Sequence, residues 1–275
     1  MAIQSIDEPA AKRQPAPAVL RAARVLAELE QDTPQPVSLA ELSRRVGAAK
    51  ASLSYVLDAL VASGFARRVD RGFVLGRRLV ELGGAYLAGV DEVSEFAALA
   101  RSLPAAARET VQLSSLVGRE VVYLARHDGT QPLRLGTDVG RRFPASCTAT
   151  GKAMLAVLDD AQVRDLYAGY VFPRRTVRSI ATLESLIADL ASTRERGYAV
   201  DDEEANEGII CLAVALPLSS GGELYGVSVT ILKTRLDDYY RDMLVGDLQS
   251  LASSIAHPLG PVSRAGHLPG ARVAR

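Results

Sequence analysis

The sequence contains no tryptophan and only two cysteines among its 275 residues. Cys147 and Cys211 are far apart and form no CxxC pair, which excludes zinc fingers and zinc ribbons because these need paired ligands. No apolar run is long enough to cross a membrane, and the polar residues 1–17 lack the apolar segment of a signal peptide. We therefore expect a cytoplasmic protein.

A net charge is also missing, since 32 basic residues balance 32 acidic ones. The charge is nevertheless unevenly distributed, because residues 44–78 contain eight Arg or Lys and only Asp58 and Asp70 as acids. A basic segment in an otherwise mildly acidic chain is typical of nucleic-acid binding, although arginines on helices also serve only to solvate a surface.

Residues 18–76 carry the ordered signals of a winged helix-turn-helix. Apolar spacing predicts a first helix over 18–30, and Ser38 with Glu41 reads as the capping box of a second. Gly47 ends that helix, and a third helix over 49–63 follows directly. Two helices joined by a tight glycine turn indicate a helix-turn-helix.

Residues 65–75 follow the third helix and predict a short β-hairpin, which in this position is a wing. Its arginines can lie beside DNA phosphates, and Ser54 and Tyr55 on the outer face of the third helix are the expected base readers. The alternative is an amphipathic helix whose outer face meets only water. The predicted DNA-binding residues are Ser38, Lys50, Ala51, Ser52, Ser54, Tyr55, Arg67, Arg68 and Arg71.

The fold class predicted for the whole chain is α+β. A linker helix is expected over 77–92, followed over 93–257 by a domain that mixes strands and helices. Residues 1–17 and 258–275 have the composition of disordered tails.

A hairpin within 209–231 offers a candidate ligand surface. If its turn centres on the glycine pair, Ala215 lies opposite Ser228 and Ala213 lies opposite Thr230. Alternation then places small and hydroxyl side chains on one face, namely Cys211, Ala213, Ala215, Ser228 and Thr230. Such a face leaves room for a ligand, although a sheet surface facing water tolerates the same residues.

The segment from Thr148 to Lys152 runs into a predicted helix. Backbone N–H groups at a helix start favour an anion such as a carboxylate, which makes Thr148 and Gly151 candidate ligand contacts. The threonine can equally serve only as a cap. The segment lacks the spacing of a Walker loop, and we expect neither a cofactor nor a metal.

Two motifs together resemble the IclR family of bacterial regulators. One runs from Gly140–Pro144 into Thr150–Ala156, and the other runs from Arg196–Tyr198 through Asp201–Glu204 to Cys211–Ala213. The resemblance covers Val19 to His257. It implies a winged helix-turn-helix, a linker helix and a GAF-like effector domain in which helices flank an antiparallel sheet. It also implies a homodimer, paired into a homotetramer, on double-stranded operator DNA.

The resemblance further implies an effector site at Leu135, Phe143, Ala149, Thr150, Asp201, Cys211, Ser228 and Thr230. These positions agree with the face identified by alternation, and they suit a small organic or aromatic acid. One departure concerns the third helix, where Tyr55 stands in place of an Arg that relatives often carry and Ala51-Ser52 in place of Ser-Thr. The operator sequence of relatives therefore does not transfer to this chain.

Two other classes of protein are compatible with the sequence. Cys147 and Cys211, with His127, are the ligands of a hypothetical thiol or metal sensor. The same groups would serve a Cys-dependent enzyme with His127 as the base, but one usable histidine and no nucleophile-elbow motif argue against catalysis. We expect a regulator rather than an enzyme.

Overall fold

The computed structural model of the protein describes residues 16–130, 137–217 and 222–256. Most of both predicted tails and the predicted site residue Leu135 lie outside these ranges. Pro17, which we assigned to a tail, is instead the first residue of a helix, a position that suits proline because its missing N–H would have no partner there. Residue contacts divide the chain into two units, Met1–Gly89 and Val90–Arg275.

The first unit contains four helices and a hairpin in the described residues. These are α1 (Pro17–Gln31), α2 (Leu39–Val46), α3 (Lys50–Ala62), β1 (Ala66–Val69), β2 (Gly72–Leu75) and α4 (Arg78–Ala88). The three helices of the helix-turn-helix enclose an apolar core that includes Val25, Leu29, Leu42, Leu53 and Leu57. The predicted helix-turn-helix and hairpin are therefore present.

The predicted capping box at α2 is only half formed. The backbone N–H of Glu41 donates to Ser38 Oγ at 3.2 Å, as expected of an N-cap. The Glu41 carboxylate, however, binds the guanidinium groups of Arg44 and Arg45, which lower its pKa to about 2. Two charged partners one turn away compete successfully with the backbone N–H of the cap residue.

The predicted linker helix over 77–92 is shorter than expected. Helix α4 ends at Ala88, and Val90 is extended before α5 (Asp91–Leu99) begins. Gly89 follows the last helical turn, where low helix propensity favours a break. Helix α5 ends at Leu99, and two short 3-10 turns, Ala100–Ser102 and Ala106–Arg108, flank Pro104.

The second unit is built on a six-stranded antiparallel sheet in the order β5-β4-β3-β8-β7-β6. Its strands are β3 (Thr110–Val117), β4 (Glu120–Asp128), β5 (Arg142–Pro144), β6 (Ala199–Asp202), β7 (Ile209–Ala215) and β8 (Tyr225–Leu232). Its remaining helices are α6 (Ala149–Leu155), α7 (Asp160–Leu166), α8 (Leu183–Arg196) and α9 (Asp238–Ala256).

The register of the β7–β8 pair differs from our prediction by two residues. Ala213 lies opposite Ser228 and Cys211 opposite Thr230, so Ala215 faces Gly226 instead. The prediction was wrong because it assumed that the two strands pair symmetrically about Gly221-Gly222. The observed pairs are symmetric about a point one residue earlier in the chain. Because side chains alternate with a period of two, a shift of two residues leaves every side chain on its predicted face.

Helices cover both faces of these strands. Ala149 and Ala153 of α6 pack on Ala199 and Ala213, on the face of small residues, which is therefore not a water-facing surface. Helix α9 packs on β7 and β8 and buries its leucines, including Leu248. In the described ranges, no helix combines the length and the apolar composition that a membrane span requires.

Candidate functional sites

The turn between α2 and α3 sets how the third helix is presented. Gly47 has φ 68°, a left-handed conformation that glycine adopts without strain. Ser43 Oγ donates to the carbonyl oxygen of Ala48 at 2.6 Å, which ties the end of α2 to the start of α3. Helix α3 therefore begins at Lys50 with its outer face free of the domain's own core.

The outer face of α3 carries most of the predicted DNA-binding residues. Tyr55 is 79% exposed, and Lys50 and Ala51 are also exposed. Ser54 and Ser52 are half-buried, and Ser52 Oγ accepts a hydrogen bond from Arg21 at 3.1 Å. Arg21 is not among the predicted DNA-binding residues, because no local spacing indicates a bond between two separate helices.

The wing presents its arginines in different environments. Arg67 and Arg71 are exposed and make no ion pair within the described part of the chain. Arg68 binds Asp58 of α3 at 2.8 Å and lies 5.0 Å from the centre of the Phe73 ring. The first two cations are available to an external anion, whereas Arg68 braces the wing against α3. Ser38 is exposed at the start of α2.

A small cavity of about 20 Å³ lies in the second unit, where β6, β7 and β8 meet the start of α6. A space of this size holds roughly one water molecule. Its described lining consists of Tyr123, Thr137, Phe143, Thr148, Ala149, Thr150, Asp201, Ala205, Asn206, Cys211, Ser228 and Thr230. The fold thus brings together eight of the ten predicted effector residues, from positions more than 80 apart in the sequence.

The two remaining predicted residues differ in their outcome. Leu135 lies outside the described residues. Gly151 is not among the lining residues, and its role is close packing, since a Cβ there would lie 2.3 Å from the carbonyl oxygen of Ala145. The backbone N–H of Gly151 donates to Thr148 Oγ1 at 3.3 Å, so this threonine caps the seven-residue helix α6.

Two hydroxyl groups of the lining, those of Thr150 and Thr230, each have a polar partner. Ser114 Oγ and Thr150 Oγ1 lie 2.7 Å apart, and Cys211 Sγ lies 3.4 Å from Thr230 Oγ1. Gly226 makes the first pair possible, because a Cβ there would approach Thr150 Oγ1 to 2.7 Å. These groups offer a ligand both hydrogen-bond donors and acceptors.

The carboxylate of Asp201 is the charged group of the lining. Asp201 is only 3% exposed, and its Oδ1 accepts the backbone N–H groups of Glu204 at 2.7 Å and Ala205 at 3.2 Å. Burial, with the neighbouring charge of Glu204, raises the pKa of Asp201 to about 7 in spite of these two bonds. Its protonation state therefore changes near neutral pH.

A buried ion network lies behind Asp201. The Lys152 side chain is 0% exposed, and its Nζ lies 2.5 Å from Glu204 and 3.2 Å from Asp189. Burial raises the pKa of Glu204 although Lys152 opposes that effect. The sequence indicates Lys152 only as part of a motif, and it does not predict the partners of Lys152 from α8 and the β6–β7 loop.

Sequence reasoning also missed four lining residues: Tyr123, Thr137, Ala205 and Asn206. Tyr123 packs edge-on against Phe143, with ring centres 5.9 Å apart, and the Arg175 guanidinium lies 4.5 Å from the centre of the Phe143 ring. The alternation of β4 could have placed Tyr123 on this side of the sheet. No local signal connects residue 137 or residues 205–206 with the cavity.

Comparison with known proteins identifies both units. The family model described as the IclR helix-turn-helix domain matches residues 18–70, and the model described as "Bacterial transcriptional regulator IclR C-terminal" matches residues 84–257. The second match alone spans more than half of the chain.

The chain belongs to the IclR family.

Curated relatives support this assignment along almost the whole chain. The HTH-type transcriptional regulator KdgR of Dickeya chrysanthemi is 30% identical over 264 residues, covering 94% of this chain and 84% of the relative. The regulator XynR of Escherichia coli (strain K12) is 30% identical over 244 residues, covering 88% and 96%. This member of the IclR family is accordingly a DNA-binding transcriptional regulator with a C-terminal effector-binding domain.

Solved structures show the same fold. An IclR transcriptional regulator from Alicyclobacillus acidocaldarius has a TM-score of 0.77 at 24% identity, covering 88% of this chain and 98% of its own. An IclR homologue from Microbacterium hydrocarbonoxydans, crystallised with 4-hydroxybenzoate, has a TM-score of 0.70 at 21% identity, covering 86% and 98%. The predicted α+β architecture is confirmed.

The thiol- and metal-sensor hypothesis gains no support in this IclR family member. Burial raises the pKa of both the Cys147 and the Cys211 thiol, which disfavours the reactive thiolate. Within residues 16–130, 137–217 and 222–256, no group of three or more His, Cys, Asp or Glu side chains is arranged to hold a metal ion.

Proposed function

We propose that the regulator responds to a small organic or aromatic acid bound in the cavity that Asp201 lines, and that it does not act as an enzyme. The observation that carries this proposal is the convergence of Asp201, Thr150, Ser228 and Thr230 on one buried space that also has apolar walls, formed by Phe143, Ala149 and Ala205. A few placed polar groups in an apolar pocket are the usual form of a small-molecule site. The relative crystallised with 4-hydroxybenzoate supports an acid as the effector class.

The cavity is too small for such a ligand as it stands, since about 20 Å³ holds roughly one water molecule. Binding therefore requires the lining to open. The domain would then have a closed conformation without ligand and an open conformation that the ligand stabilises. We propose that the effector shifts the population between two arrangements of the paired DNA-binding domains.

We propose that operator binding uses the predicted residues of α3 and the wing. Tyr55 and Ser54 read bases, while Lys50, Ser52 and the free wing arginines hold phosphates. Arg67 and Arg71 support this most directly, because they are exposed cations without a described ion pair. Action on chromosomal DNA also favours the cytoplasm as the location.

A homodimer, paired into a homotetramer, completes the proposal. Helix α4 buries none of its residues, and Leu82 and Tyr86, which lie four residues apart on one face, are both exposed. An uncovered apolar stripe on a helix is typical of an interface. We expect Leu82→Asp to lower the molar mass measured by light scattering, while Arg77→Asp, beside the start of the helix, leaves it unchanged.

The first test is fluorescence anisotropy with DNA from upstream of the protein's own gene and of its neighbours. We expect tight binding that weakens from low to high salt and resists random competitor DNA. 4-Hydroxybenzoate, benzoate and pyruvate are then added in turn, and at least one should change the affinity. If random DNA abolishes the binding, the proposal of sequence-specific operator binding is contradicted. If no acid changes the affinity for DNA, the proposal of an organic acid as effector is contradicted.

A further inference from the structure

The charges around Asp201 are unbalanced. Three buried or partly buried carboxylates, those of Asp201, Glu204 and Asp189, surround the single ammonium group of Lys152. Lys152 lies within ion-pair distance of Glu204 and Asp189, so its charge is already neutralised before Asp201 is counted. The two bonds that Asp201 Oδ1 accepts come from neutral backbone N–H groups.

The other charged side chains near Asp201 also have partners within the protein. On the β6–β7 loop and the chain that follows β8, Asp202 and Glu203 both bind Lys233 at 2.6 Å. Arg178 binds the same two carboxylates at 3.1 and 3.2 Å. Arg175 lies over the Phe143 ring and donates to the carbonyl oxygen of Ala205 at 3.1 Å. Tyr123 of β4, Cys147 and Cys211 of β7 are neutral, since burial raises the pKa of each.

Among the described residues, the lining of the cavity therefore offers an anion no cation. The described lining contains hydroxyl, amide and thiol groups and one carboxylate, but neither Lys nor Arg. A ligand carboxylate in this space would meet Asp201 across a few ångströms in a poorly solvated site. Two carboxylates placed in this way cannot both stay ionised, and they share a proton instead.

We propose that an anionic effector binds together with one proton, which Asp201 holds. The proton comes from solvent, no covalent bond to carbon is made or broken, and the protonated carboxyl group donates a hydrogen bond to the ligand carboxylate. The inference rests on the proposed acid effector and adds a dependence on pH to it. The raised pKa of Asp201, about 7, supplies the range in which this dependence is seen.

The expected magnitude follows from linkage. Above the pKa of Asp201 in the free protein, each pH unit adds a tenfold cost in affinity, so the dissociation constant of an acid rises about tenfold from pH 6 to pH 8. The same change makes binding at pH 8 take up close to one proton. Acid binding is therefore favoured when the surrounding pH falls.

The experiment is isothermal titration calorimetry of the full chain with 4-hydroxybenzoate, benzoate and pyruvate at pH 6, 7 and 8. Each titration is run in two buffers of different ionisation enthalpy, which gives the number of protons taken up. Asp201→Asn keeps the shape of the side chain in a permanently neutral form, and we expect its affinity to vary less than threefold with pH. Asp202→Asn removes a carboxylate one residue further along β6 and should keep the tenfold dependence.

Carbon-13 NMR of the aspartate carboxyl groups follows the titration of Asp201 without any ligand. The signal that is missing from the spectrum of Asp201→Asn is assigned to Asp201. We expect titration near pH 7, and titration near pH 4 would overturn the inference. An acid that binds with the same affinity from pH 6 to pH 8, or without proton uptake, would also overturn it and leave the acid effector standing. If no acid binds at any pH, the proposed effector class fails, and coupled binding fails with it.

Discussion

Replacing Lys152 with Met tests whether the buried ion network stabilises the effector domain. Methionine has nearly the length of the lysine stem but no charge, so the change removes the ammonium group with little loss of packing. It leaves Glu204, whose side chain is 10% exposed, without the partner that lies at 2.5 Å. Asp189 also loses its partner, which lies 3.2 Å from its buried Oδ2, although the side chain as a whole is 27% exposed.

The loss of stability in Lys152→Met follows from the buried carboxylate of Glu204, which remains without its partner. Removing one partner of a buried ion pair costs roughly 3 to 5 kcal/mol of unfolding free energy. For a domain of this size, each kcal/mol lowers the melting temperature by about 2 to 4 °C, which predicts a drop of roughly 6 to 20 °C. The exposed pair of Arg164 and Glu184 provides the control, since water solvates both charges and Arg164→Met should leave the melting temperature almost unchanged.

The dependence of this cost on pH has a definite sign. Burial already raises the pKa of Glu204, and loss of Lys152 raises it further. A carboxyl group with a raised folded-state pKa is destabilising at a pH above that pKa, and the cost is relieved as the pH falls through it. The deficit of Lys152→Met should therefore be larger at pH 8 than at pH 5.5.

Differential scanning calorimetry of the full chain measures both effects, with the unchanged protein as the reference. The double variant Lys152→Met with Glu204→Gln should recover much of the lost stability, because it removes the unpaired charge. A single variant as stable as the wild type, or a double variant less stable than the single one, would refute the idea that charge pairing holds this corner together.

Three further predictions concern the two sites. Arg67→Ala should weaken binding to all DNA sequences alike and lower the slope of log affinity against log salt by about 1 in anisotropy titrations, whereas a sequence-dependent loss would contradict a phosphate contact. Tyr55→Ala should reduce the preference for operator over random DNA by about 1–3 kcal/mol in competition assays; an unchanged preference would remove Tyr55 from base reading. Gly226→Ala would place a Cβ 2.7 Å from Thr150 Oγ1, so it should abolish the response to acids while operator binding without acid is kept, and an intact response would show that α6 yields easily.

The helix-turn-helix could be predicted because its signals are local. Gly47 ends α2 and Gly64 follows α3, each within one turn of the apolar stripe it delimits. The strands of the second unit were placed by the same kind of evidence, which is alternation along a few residues. The β7–β8 register was wrong because it depends on the connection, but its error of two residues preserved both faces.

The candidate site was predictable only in part, for the same physical reason. Asp201, Thr150 and Ser228 were reached through a resemblance and through alternation. The partners that determine the charge of the site were not, because Lys152 meets Glu204 and Asp189 only after three separate elements have packed together. Nothing in the spacing of these residues along the chain indicates that they become neighbours.

The polar interior of the effector domain is concentrated where it serves binding. Four hydroxyl side chains are buried against the cavity, those of Thr148, Thr150, Ser228 and Thr230. Asp201 is buried there too, and this burial raises the pKa of its carboxyl group. Thr148 also caps α6, but apolar residues of similar size would pack at least as well as Thr150, Ser228 and Thr230, so these three hydroxyl groups do not favour folding over an apolar lining. A ligand that satisfies them binds the folded state alone and stabilises it by an amount set by its concentration and affinity. The features that make this corner least favourable for an empty domain are therefore the ones that enable it to sense whether an effector is present.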